Sequence, residues 1–60
     1  MSTVYNPEAD VIAQIERLEL EVRSVRKRIE HARSEPDKRV LNKQIEELMS
    51  EIDFLRAKLD

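Results

Sequence analysis

His31 is the one histidine in this 60-residue chain, and Ser24 and Ser34 are the hydroxyls nearest to it. A nucleophile beside a base needs a third group to orient the base and a concave site that excludes water. The close neighbours of His31 include Lys27 and Arg28, and no acid completes a triad at a workable spacing. Glu46 and Glu47 are adjacent, so on a helix their carboxylates point about 100° apart. No glutamate stands three residues before His31, which rules out the ligand spacing of di-metal bundles. There is no cysteine for a zinc site and no glycine for a phosphate-cradling loop. No catalytic residue, cofactor or metal site is therefore expected, and the chain reads as a non-enzyme.

Binding chemistry is better represented. Arg26, Lys27, Arg28, Arg33, Lys38, Arg39 and Lys43 are concentrated in the middle of the chain, at a density able to neutralise several phosphates. Against nucleic acid stand the acids Glu30, Glu35 and Asp37 within the same stretch, the absence there of any aromatic to stack a base, and a pI near 5.4. The plainer reading of such a mixed set is a solvated charged surface.

The elements that carry these charges are written in two apolar ladders. Val11, Ile15, Leu18, Val22, Val25, Ile29 and Ala32 step by four and three, and Leu41, Ile45, Leu48, Ile52, Leu55 and Leu59 repeat the pattern. Extending the first ladder past Ala32 lands on Pro36, Arg39 and Lys43, so the phase is lost at Ser34-Glu35-Pro36-Asp37. Folding the chain back at that break pairs Ile29 with Leu41, Val25 with Ile45, Val22 with Leu48, Leu18 with Ile52, Ile15 with Leu55 and Val11 with Leu59. The numbers in every pair add to 70, so a single register serves the whole length. The expected fold is all-α, an antiparallel two-helix coiled-coil hairpin. Isoleucine and valine dominate the a positions and leucine the d positions, the division that favours two-stranded packing.

In detail, residues 1–5 read as a flexible lead, with Val4 and Tyr5 able to cover the open end of the hairpin. Asn6-Pro7-Glu8 has the chemistry of a helix start, with a capping side chain, a proline that loses no hydrogen bond and an early acid at the positive end of the dipole. The first helix is expected over about 7–33, the turn over 34–36 and the second helix over about 37–59. Proline disfavours helical dihedrals at the residue before it, which places Glu35 in the turn. Ser34 or Glu35 can cap the second helix, with Pro36 near its first position and Asp37 in its first turn, and Ser34 and Asp37 also have capping-box spacing. Surface pairs Glu19 with Arg23, Glu35 with Arg39 and Lys43 with Glu47 would each add about 0.2–0.5 kcal/mol.

Size argues for association. A single core in a chain this short rarely supplies more than about 3–5 kcal/mol, and with no disulfide the remainder must come from packing or a partner. Charge is also segregated. From Arg23 to Lys43 there are eight bases and three acids, a net of +5, while the rest has three bases and ten acids, a net of −7, which recovers the overall −2. Two hairpins laid antiparallel, the basic tip of one beside the acidic base of the other, would satisfy both ends and form a four-helix bundle. In architecture this resembles the Rop-type RNA-binding hairpin dimers, with which the chain shares no motif. Glu21 and Glu51 face each other across the seam as like charges.

Candidate partner-binding residues are the apolar ones outside the ladders. Ile12 and Met49 both fall at e positions on one flank, Leu20, Val40 and Phe54 lie further out, and Phe54 is the natural interface anchor as the one phenylalanine. The expected function is a protein–protein interaction module, a small adaptor, assembly factor or inhibitor. Its first partner would be a second copy, and a helical segment of another protein is the other possibility. The alternatives are a nucleic-acid-binding hairpin using the basic tip, or a channel-probing transcription regulator. The latter rests on a tip with Glu35 and Asp37 that resembles the coiled-coil hairpins of Gre-type transcript-cleavage factors, from which this chain differs in its more basic tip. No apolar run approaches membrane-spanning length and the first residues lack a secretory pattern, so no membrane partner and a cytoplasmic location are expected.

Overall fold

A computed structural model describes residues 7–59. Two helices, α1 (Pro7–His31) and α2 (Glu35–Ala57), pack against each other as a hairpin. At 1.5 Å per residue they are about 37 and about 34 Å long, well matched for full-length contact. The proposed lead and the cap at Asn6 fall outside the described residues.

Burial follows the two ladders. Ile15, Val22, Val25, Ile52 and Leu55 are buried at 3–7% exposure, and all the other ladder residues are half-buried. Apart from the ladders, the described residues withdrawn from full exposure are Glu19 and Lys38 alone. Ile15, Val22, Ile52 and Leu55 form the centre of the core, with Val11, Leu18, Ile45, Leu48 and Leu59 packed against it. Burying one such side chain contributes about 1.5–3 kcal/mol, and the 3.5-residue spacing repeats that gain at every turn.

Both helix boundaries at the turn differ from expectation. α1 stops at His31, two residues early, and α2 begins at Glu35, two residues early, leaving 32–34 as the connection. The Ala32 N–H donates to the Ile29 carbonyl at 3.1 Å, a tightened last turn that ends α1 without a glycine. Ser34 takes extended dihedrals (φ −118°, ψ 151°) and becomes the N-cap: its Oγ accepts from the Asp37 N–H at 3.3 Å, and its carbonyl accepts from the Lys38 N–H at 3.1 Å. Glu35 is therefore helical after all. The residue forced out of the helix is Ser34, because the cap's two hydrogen bonds outweigh the bias that Pro36 places on Glu35. Pro36 occupies the first turn, where a missing N–H leaves no bond unmade. At the far end α2 closes at Ala57. Lys58 and Leu59 form a turn, their N–H groups donating to Leu55 and Arg56 carbonyls.

Candidate association surfaces

A two-helix hairpin has two open flanks, one on each side of its seam. Where α1 and α2 diverge from the core on the first flank, Glu19, Arg23 and Arg26 of α1 and Met49, Asp53 and Arg56 of α2 line a shallow groove floored by Val22 and Ile52. These are e and b positions of the heptads, one step out from the a and d ladders. An adjoining hollow on the outer side of α1 is lined by Glu16, Glu19, Leu20 and Arg23. Glu19 crosses the seam to Arg56 at 3.7 Å. The expected partner within the helix was Arg23. The cross-helix contact wins because the e position leans over the seam toward its counterpart, and this also explains why Glu19 is half-covered.

The opposite flank has its own groove, lined by Glu21, Ser24, Val25, Arg28 and Gln44. Toward the tip, Arg28, Ala32, Asp37, Val40 and Leu41 continue that side. At the base, Lys58 lies with Gln14, Val11 and Leu59, and its Nζ sits 4.8 Å from the Phe54 ring centroid. Phe54 is 58% exposed, so this cation–π contact occupies only part of the ring.

The structure divides the candidate partner-binding residues. Met49 and Leu20 border the same strip, on either side of Glu19 and Arg23. Ile12, as exposed as Met49 at 46%, shares their flank by heptad position but does not line the groove. Phe54 and Val40 belong to the other flank. No single face therefore holds the exposed apolar residues.

The basic tip is likewise split. Arg26 lines the Met49 groove and Arg28 the opposite one. Lys38 pairs with Glu35 at 3.9 Å, where Arg39 was the expected partner; the i+3 and i+4 side chains both neighbour Glu35 on the helix, and the i+3 one makes the contact. Lys43 and Glu47 form no ion pair among the described residues. Lys27, Arg33, Arg39 and Lys43 are exposed, and His31 is exposed at the end of α1. Among the described residues no three histidine or carboxylate side chains come together in a way that could hold a metal ion. No described helix is long and apolar enough to cross a membrane.

The ladder reading does not single out Glu16, Glu19, Arg23, Asp53 or Arg56, which turn out to surround Met49. Their e and b positions are the signal that marks them. No protein-family model, curated protein or solved structure matches this chain.

Proposed function

We propose that the chain works by protein association, as a non-enzymatic hairpin that pairs with a second copy into a four-helix bundle. The observation that supports this most is the half-covered core. In a single hairpin eight of the thirteen ladder residues stay partly open, and no described side chain falls below 2% exposure. A pair of helices can cover only the inner edge of each stripe; the two flanks leave the sides of the ladder within reach of water. A second hairpin laid on one flank covers them at the cost of ordering few side chains, since the helices are already formed.

Nucleic acid receives less support from the same geometry. The bases of the tip point to both flanks and outward, so one phosphate backbone would meet only part of the set.

Sedimentation across a concentration series tests the reading. The mass is expected to rise from one chain toward two with concentration and to fall back as salt is raised. A mass of one chain at every concentration, with helicity intact, would sink it.

A further inference from the structure

Glu16, Glu19, Arg23 and Arg26 follow one another along α1 at intervals of three, four and three residues. These spacings keep all four on one strip of the helix, beside the seam. The intervals are the same from either end, while the charge changes sign in the middle. Turned end over end, the strip is thus complementary to itself. A two-fold axis midway between Glu19 and Arg23 sets Glu19 against Arg23 of a second copy and Glu16 against Arg26, each pair occurring twice.

The folded hairpin adds the apolar centre. The register of the two ladders pairs residues whose numbers add to 70, and the hollow at the base brings Val11 beside Leu59 in keeping with it. Met49 is accordingly level with the midpoint of the strip. The same axis brings the two Met49 side chains together, with Leu20 on the margin, and the charge pairs at about 3 and about 7.5 Å along the helix on either side. In one chain Glu19 is paired with Arg56, whereas Glu16, Arg23 and Arg26 have no ion-pair partner among the described residues.

We infer that the Met49 flank is where a second copy of this chain docks, antiparallel, with α1 against α1 and the Glu16–Glu19–Arg23–Arg26 strip setting the register. This rests on the proposal of self-association and specifies its surface. A parallel arrangement is opposed, because it would leave the acidic half of one strip nearest the acidic half of the other. On α2 the antiparallel operation brings Asp53 within about one residue of the level of Glu46 of the second copy, a like pair, which sets the contact toward α1.

The opposite flank is the serious competitor. Asp10, Arg17, Glu21 and Arg28 also pair when reversed. Their midpoint, however, lies level with Glu51, so that two carboxylates rather than two thioethers would meet on the axis.

Two variants decide the matter. Glu16→Lys with Glu19→Lys makes the strip wholly basic, and Arg23→Glu with Arg26→Glu makes it wholly acidic. Each alone is expected to self-associate about tenfold more weakly or worse than the parent, with helicity unchanged in circular dichroism. Mixing them is expected to recover a two-chain species near the parental affinity. Arg17→Glu with Arg28→Glu, which makes the competing strip on the opposite flank wholly acidic, leaves the parental affinity in place. If the parent self-associates while both strip variants remain as tight, or while the Arg17 and Arg28 variant is the one that disrupts, the surface assigned here is wrong and self-association stands. A parent that is monomeric throughout overturns both.

Discussion

Val25 and Val40 have the same side chain and opposite surroundings, 3% and 68% exposed. Only position relative to the seam separates them. Residue energetics should follow that position. Leu55→Ala, in the central cluster, is expected to cost about 2 kcal/mol, near the low end for buried leucine, because the open flanks let neighbours settle into the vacated space. Val40→Ala should stay within about 0.5 kcal/mol. Urea midpoints at one fixed protein concentration compare the two; equal shifts would mean that the seam is not the core. The charged residues were less legible in sequence than the apolar ones. Glu19 and Glu35 both have an alternative base within one turn, and the partner each takes, Arg56 and Lys38, is decided by where the side chain leans.

At the scale of the elements, the hairpin has two independent reasons to bend where it does. Pro36 punctuates the chain, and the ladders are out of phase across 32–41 whether or not a proline is present. Ser34 then supplies the cap that starts α2. Pro36→Ala is therefore expected to leave the hairpin closed. Spin labels attached through cysteines at Ala9 and Ala57 would remain close together, since both lie at the base. A straightened helix would carry them about 72 Å apart, and a distance of that order would show that proline alone makes the turn. Placing the turn at 34–36 from sequence errs by two residues. A proline's local preference is visible in the residue string, whereas the cap's hydrogen bonds to Asp37 and Lys38 exist only once the backbone has turned.

For the whole molecule the question is what the separated charges serve. The tip carries +5 and the remainder −7, a distribution suited to antiparallel pairing, and long-range steering of that kind weakens as salt shortens the Debye length. Reversing Arg28 and Lys38 to glutamate should leave the mass of the associated species nearly unchanged, because Arg28 lines the opposite groove and Lys38 is not among the residues around Met49. Anisotropy of a labelled duplex is expected to show only non-specific binding, on the order of 10⁻⁴–10⁻⁶ M near physiological salt. Sequence-selective binding that the double reversal abolishes would move the function to the tip.

The apolar ladders by themselves determined the helices, the fold-back and the core, because heptad spacing puts a fixed set of side chains on one stripe whatever else the chain does. The same spacing placed Ile12 and Met49 on one flank. Tertiary structure alone decided that Met49 lines a groove and Ile12 does not, and that Glu19 reaches across the seam to Arg56 rather than along its own helix to Arg23. Each of these depends on how two helices are set against each other in rotation and register, a relation between distant residues that no local pattern contains.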